Sequence, residues 1–304
     1  MKVILCIPTL NAARTANILV KAIKDQTWID LGVQIIDSDS TDDTEKIFKE
    51  LGCSVHTISK TSFNHGATRQ LALSLCPEAE FLIYMTQDSI LASPDSIIKI
   101  LSYFEDNKIG AVCGRQLPHF DASPIASHAR KFNYPEKSVL KSKNDIQGIG
   151  IKAAFISNSF TAYRRLALME VGGFPSDVIC SEDNYVAAKM LLAGWTVAYC
   201  AEAICYHSHN YNIVEEFRRY FDIGVFHSRE EWIIKSFGKP EEEGKKFVIS
   251  EMRYLLQHAP WLIPSAVVRT GLKLIGYKLG QREQVMPLWI KRKLSMNKGF
   301  WKNE

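Results

Sequence analysis

The chain lacks most of the features that would take it out of the ordinary globular class. Among its 304 residues no apolar run is long enough to read as a membrane-crossing helix, which would need roughly 18 or more residues. Its seven cysteines are odd in number and scattered, several inside apolar strings such as Val112-Cys113 and Ile204-Cys205. That pattern suits buried, reduced thiols rather than a disulfide framework, and no CxxC pair suggests zinc. The opening Lys2-Val3-Ile4-Leu5-Cys6-Ile7-Pro8 is too short and too soon stopped by proline for a signal peptide. A cytosolic protein is expected. No period of repeat length is visible. No GxGxxG follows the first strand and no GxxxxGK[ST] occurs anywhere, which disfavours a dinucleotide fold and a P-loop.

What is present is enough for a large core: 46% of residues are hydrophobic and 11% aromatic. Net charge is +4, but it is unevenly spread. From position 264 to 304, nine Lys or Arg face only Glu283 and Glu304, so this tail is about +7 and the remainder about −3. The cations are interleaved with Trp261, Leu262, Ile263, Val267, Val268, Leu272, Ile275, Leu279, Trp289, Phe300 and Trp301. Such a mixture suits an interfacial helix on anionic lipid, or else a helical flap packed on protein. Nucleic acid is not the expected partner.

Short apolar strands alternate with helical spacings along the first half. Strands are expected at 3–7, 33–36, 54–58, 81–85 and 111–114, with helices near 14–26, 42–51, 68–75 and 93–104. The first helix should bury Ile18, Leu19, Ala22 and Ile23, and Thr41 should cap the second. Residues 115–150 read as a long functional loop with one helix at most. Helices follow at 164–171 and 184–193, the latter ended by Gly194, and late strands at 195–199 and 203–206. Beyond Val214 the chain reads as helical, with a charged break at 239–246. The alternation is that of an α/β protein with a parallel, doubly wound sheet.

In such a sheet ligands bind beyond the carboxyl ends of the strands. Three of these ends carry polar groups: Pro8-Thr9-Leu10-Asn11, Asp37-Ser38-Asp39-Ser40 and Thr86-Gln87-Asp88. Taken together they point to a nucleotide site. Without a glycine-rich loop a diphosphate needs another positive charge, which a divalent cation on carboxylate and imidazole can supply. Asp88 is the expected oxygen ligand, and His207 or His209 the nitrogen ligand.

These residues resemble the family 2 inverting glycosyltransferases of GT-A fold, and most of all the rhamnosyltransferases of bacterial surface-polysaccharide synthesis. The resemblance runs from residue 3 to about 235. Ile7-Pro8-Thr9-Leu10-Asn11 is similar to the family's first nucleotide-contacting turn. Ile35-Ile36-Asp37-Ser38-Asp39-Ser40-Thr41-Asp42-Asp43-Thr44 resembles its base- and ribose-holding element, with Ser38 in place of the second aspartate. Thr86-Gln87-Asp88 stands for a degenerate Asp-x-Asp metal motif. Phe63-Asn64-His65-Gly66-Ala67-Thr68-Arg69 and Gly114-Arg115-Gln116-Leu117-Pro118 are similar to the rhamnosyl branch, as is Phe217-Arg218-Arg219-Tyr220 after His207-Ser208-His209. Cys180-Ser181-Glu182-Asp183 followed by Leu192-Ala193-Gly194-Trp195 resembles the block whose aspartate is the general base.

The resemblance implies a GT-A, Rossmann-like, mostly parallel sheet in a catalytic domain over 1–235, its nucleotide-sugar half about 1–115 and its acceptor half about 116–235. A helical, basic and aromatic extension over 236–304 would meet the membrane. Asp183 would be the base, Glu182 its orienter or an acceptor contact, and Asp88 with His207 the holders of Mg²⁺ or Mn²⁺. His65, Arg69, Gln87 and Arg115 would touch the donor, and Asn158 the sugar hydroxyls. The implied donor is dTDP-L-rhamnose, with UDP-hexoses behind it; the acceptor is a lipid-linked glycan, and the location the inner face of the plasma membrane. A nucleotidyltransferase would want a glycine-rich phosphate loop, which is missing here, and a mere nucleotide-sugar-binding protein would not need Glu182-Asp183 beside a histidine ligand.

Overall fold

In a computed structural model describing residues 2–28 and 30–302, the chain forms a nine-stranded sheet with helices on both faces. The strands are β1 (Val3–Thr9), β2 (Leu31–Asp37), β3 (Ser54–Thr57), β4 (Phe81–Met85), β5 (Ile90–Leu91), β6 (Ile109–Leu117), β7 (Val139–Lys141), β8 (Phe160–Arg164) and β9 (Thr196–Tyr206). The helices are α1 (Ala13–Lys24), α2 (Thr44–Glu50), α3 (His65–Leu75), α4 (Ser96–Ser102), α5 (Pro124–Asn133), α6 (Ile146–Ile149) and α7 (Arg165–Glu170). They continue with α8 (Glu182–Ala193), α9 (Ile213–Arg229), α10 (Glu231–Phe237), α11 (Glu241–His258), α12 (Ile263–Gly280) and α13 (Leu288–Leu294).

The sheet order is β3-β2-β1-β4-β8-β6-β9-β5, with β7 paired to β9. β1 pairs in parallel with β2 and β4, and β2 with β3. β8 runs antiparallel between β4 and β6, and β6 is parallel to β9. Consequently β1, β2, β3, β4, β6 and β9 all end at one edge of the sheet, and β8 begins there. That edge carries the site. Because both faces are covered, strand residues alternate between two cores: Val3, Leu5 and Ile7 pack with α1 and α4, Ile4 and Cys6 with α3 and α8.

Several local expectations need correction. β8 had not been foreseen, since Phe160–Arg164 follows a polar turn and runs straight into α7. The stretch 115–150 is not a loop: β6 continues to Leu117, and α5, capped by Ser123, and β7 follow. The two late strands are one, with a bulge where Gly114 and Arg115 of β6 face Cys200 and Ile204. Leu19 and Ile23 of α1 are buried as expected, but Ile18 is exposed and Ala22 half-buried, and Ala16 and Val20 complete the buried face. Thr41 does not cap α2, because its amide donates to Asn11 Oδ1 at 2.9 Å and the helix starts only at Thr44. The helix expected at 93–104 spans only Ser96–Ser102 as α4. The break expected at 239–246 is shorter, at 238–240, since Glu241, Glu242 and Glu243 occupy the first turn of α11, where the helix dipole favours them.

The helices after β9 are packed on the catalytic body rather than splayed from it. α12 crosses α9 at backbone contact: a Cβ on Gly280 would lie 2.0 Å from Phe221 O, and one on Gly276 2.6 Å from Phe217 O. Trp301 is fully buried, with the Arg229 and Lys291 cations over its ring at 5.3 and 5.1 Å. Asp222 Oδ2 accepts from the amides of Met296 and Asn297 at 3.1 and 3.0 Å, pinning the last segment to α9.

Candidate active site

The strand-exit edge opens into a cleft of about 740 Å³, lined by Asp88, Asn158, Glu182, Asp183 and His207 among others. Residues from Asp88 to His207 thus converge although they are far apart in sequence, because the exits of β4, β6 and β9 and the entry of β8 are neighbours in the sheet.

On the β1–β2 side the polar exits hold one another. Asp37 is buried and accepts from Thr9 Oγ1 at 2.9 Å, Ser40 Oγ at 2.6 Å and the Ser40 amide at 2.8 Å. Gln87 clamps Leu10, accepting from its amide at 2.7 Å and donating to its carbonyl at 3.2 Å. Asp37 and Gln87 therefore brace the rim with their own side chains. Pro8 lies within β1, and Ser38 is buried with its hydroxyl unpartnered. Asp39 is exposed at the rim. Asn11, Asp39 and Ser181 have φ of 50°, 59° and 61°, so the three non-glycine residues with left-handed backbone among the described residues border the strand exits or the Glu182-Asp183 pair.

Beyond β4, the ligand atoms of Asp88, His207 and His209 all lie within 4.8 Å of one another. Asp88 Oδ2 is 3.5 Å from His207 Nε2 and 3.7 Å from His209 Nδ1. The tautomer of His207 follows from its other side. Gln116 Oε1 accepts from Arg130 Nη1 at 2.6 Å, which can only donate, and the same oxygen lies 2.8 Å from His207 Nδ1. Nδ1 therefore carries the proton, and the Nε2 lone pair faces the carboxylate. A lone pair opposite a carboxylate is unfavourable unless a cation lies between them. Burial holds both imidazoles neutral, taking His209 down to about 4. One carboxylate and two neutral imidazoles fit a divalent cation.

The same cleft holds a pair of adjacent carboxylates in unlike surroundings. Ser181, in its left-handed conformation, turns the chain so that Glu182 and Asp183 open α8. Glu182 is paired with Arg69 at 2.9 Å, both side chains nearly inaccessible. Burial resists its ionisation, but Arg69 and then His65 overcome that and keep it charged. Arg69 is fixed in turn by the backbone of α3, donating to His65 O at 3.0 Å. α3 can approach only because residue 66 is glycine: a Cβ there would sit 1.7 Å from Pro175 O. Asp183 has no such cation. It accepts from the amides of Asn158 at 3.1 Å and Asn184 at 2.8 Å. Burial first, then the neighbouring Glu182 charge, pushes its carboxyl up to about 6. Two carboxylates with ionisation pulled apart mark the one with the higher value as a proton acceptor near neutrality. Asn158 is set by Tyr163 Oη, which donates to its Oδ1 at 2.7 Å.

Of the residues expected from sequence, Asp88, Asn158, Glu182, Asp183, His65, Arg69 and His207 share the cleft. Arg115 does not line it; its guanidinium points to Glu136 at 3.0 Å. The neighbouring Gln116 is the member of that pair that reaches His207, at 2.8 Å, and the register of β6 on β9 brings it there. Arg130 and Arg219 were also missed. Arg219 opens into the cleft over the Tyr211 ring at 5.8 Å and has no carboxylate partner among the described residues. Its motif, Phe217-Arg218-Arg219-Tyr220, was the available signal.

A twisted sheet with a metal-type donor set and a raised carboxylate at its carboxyl edge defines a nucleotide-sugar transferase of GT-A architecture. The model of glycosyl transferase family 2 matches residues 4–172, and the chain belongs to that family. It is 50% identical over its whole length to the O-antigen chain rhamnosyltransferase RfbN of Salmonella typhimurium, covering 97% of that protein. It is 48% identical to the O-antigen chain rhamnosyltransferase WbaN of Salmonella anatum, over 98% of this chain and 95% of that one. Among solved structures, the mannosyltransferase PcManGT of Pyrobaculum calidifontis, in complex with GDP-Man and Mn²⁺, superposes with a TM-score of 0.59 at 18% identity, over 99% of this chain and 84% of its own. TarS 1-349 of S. aureus in complex with UDP-GlcNAc gives 0.57 at 15% identity, over 93% and 91%. These two resemblances establish the fold.

Proposed function

We propose that this glycosyltransferase moves L-rhamnose from dTDP-β-L-rhamnose, with inversion, onto a lipid-linked oligosaccharide in the synthesis of a bacterial surface polysaccharide. The observation that carries the reading is that Asp183 and the Asp88–His207–His209 set line one cleft. Sequence identity of 50% and 48% to two O-antigen rhamnosyltransferases along nearly their whole lengths supports the sugar and the acceptor class. Asp183 takes the proton from the incoming hydroxyl. Glu182 and Arg69 hold the floor beneath it as a neutral pair, and Asn158 orients the sugar. Asp39, Thr9 and Asn11 flank the base and ribose side. A bound Mg²⁺ or Mn²⁺ would neutralise the diphosphate leaving group, and Arg219 adds charge from α9. Two nitrogen donors favour Mn²⁺ over the harder Mg²⁺.

The acceptor class calls for work at a bilayer, on the inner face of the plasma membrane. No helix among the described residues is long and apolar enough to cross one. α12, however, is amphipathic in the inverted sense. Its inner face carries Arg269 and Lys273, while Val267, Val268, Leu274 and Ile275 point outward, continued by Trp261. Lys278 and Arg282, at the end of α12 and just after it, and Arg292 and Lys293 of α13 are also exposed, which suits anionic lipid. Trp301, Arg269 and Lys273 belong to the protein side of these helices.

A donor screen with dTDP-rhamnose and UDP-hexoses on an acceptor-lipid extract, with the linkage solved by NMR, tests the reaction. Transfer is expected only from the rhamnosyl donor, is expected to vanish in EDTA and to return with Mn²⁺. Full turnover in EDTA would remove the metal role from Asp88 and His207.

A further inference from the structure

The cleft does not end at the carboxylates and the metal-type set; it continues between α5, α9, α11 and α12. Glu251 of α11 is 1% exposed and lines this extension, and neither of its carboxylate oxygens has a hydrogen-bond partner. Lys273 of α12, also buried, faces the same space, with its ammonium 5.2 Å from the Phe247 ring centre and 5.7 Å from that of Tyr220. Glu216 and Arg269 pair beside them at 3.0 Å, and Glu216 Oε2 is otherwise unsatisfied. A buried carboxylate without donors is strongly disfavoured, so a native chain keeps one only where something else satisfies it. Burial accordingly raises the Glu251 carboxyl from its ordinary value.

The chemistry of the lining selects the ligand. Two acidic and two basic side chains leave no net charge, so a phosphate meets Glu251 and Glu216 and an amine meets Lys273 and Arg269. A neutral polyol meets no penalty: vicinal hydroxyls donate to both oxygens of a carboxylate, an ammonium donates to a hydroxyl or ring oxygen, and Phe247 and Tyr220 cover the C–H face of a sugar ring. We infer that Glu251, Lys273, Phe247 and Tyr220 form a subsite for a neutral sugar of the acceptor glycan, so that the C-terminal helices read the acceptor. This rests on the glycosyltransferase reading above and names the part of the acceptor bound there.

The test uses the full chain with dTDP and Mn²⁺, and as probes the methyl glycosides of galactose, glucose, mannose and rhamnose, read by saturation-transfer NMR. At least one glycoside should bind the unaltered protein, and Glu251→Gln and Lys273→Met should each weaken it by about tenfold, the value of one good hydrogen bond. Binding of dTDP with Mn²⁺ should stay within about twofold, because neither residue belongs to the donor side. Glu251→Gln should hold or raise the melting temperature, since it removes a buried unpaired charge. The inference fails if no glycoside binds, if the variants bind as the unaltered protein does, if inorganic phosphate displaces the sugar, or if Glu251→Gln melts several degrees lower. Absence of dTDP binding by the unaltered protein would instead sink the donor assignment, while the glycoside result would still decide this one.

Discussion

At the level of single residues, the site turns on how Glu182 and Asp183 divide their surroundings. They are adjacent in sequence, yet Arg69 neutralises one and leaves the other to amide donors and burial. Asp183→Asn should therefore lower transfer by about 10²–10⁴-fold, the usual worth of a positioned base, while donor affinity changes only a few-fold. Full activity in that variant would exclude Asp183 from proton transfer. The rate of the unaltered protein should fall as pH drops through about 6, where Asp183 takes up its proton. Stability carries the opposite sign. A carboxyl raised from 3.8 to about 6 in the fold favours the folded state most below the lower value, and that contribution is lost as pH rises through about 6. The melting-temperature gain of Asp183→Asn over the unaltered protein should thus be larger at pH 7 than at pH 5; an equal gain at both would contradict the raised value. The carboxylate pair itself was legible in the sequence. Its division was not, because Arg69 stands 113 positions before Glu182 and only the fold brings them together.

Among elements, α9 and α12 depend on glycines at their crossing. Gly280→Ala would place a methyl against Phe221 O and force the helices apart. A loss of about 1–3 kcal/mol is expected, as for an overpacked core, seen as a lower denaturation midpoint at constant m. An unchanged midpoint would mean that the crossing is loose. The same displacement should raise the KM for acceptor more than that for donor, since α12 brings Lys273 to the cleft. Element existence was largely readable from apolar spacing, as for β1, β4 and α8. β8 and α5 were not, because a five-residue strand behind a polar turn, and a helix begun by Ser123-Pro124 within a mixed-polarity stretch, carry weak periodicity.

For the molecule as a whole, the inverted amphipathicity of α12 sets the expected orientation on a bilayer. Liposome co-sedimentation should retain the protein on anionic vesicles at low salt and release part of it at high salt. The double variant Val267→Asp and Ile275→Asp should stay folded, both positions being more than half exposed, and should lose most of that binding. Equal retention of the variant would exclude this face as the contact.

The amino-acid sequence alone determined that short apolar strands alternate with helices and that Asp88, Asp183 and the two histidines stand at their ends, because burial on both faces of a sheet leaves a local signature in spacing. Only the tertiary structure decided the antiparallel insertion of β8, the choice of Gln116 over Arg115, the pairing of Arg69 with Glu182, and the joining of α11 and α12 to the cleft. Strand order and helix docking are set by which distant surfaces exclude water together, and that sum over non-local contacts leaves no periodic trace along the chain.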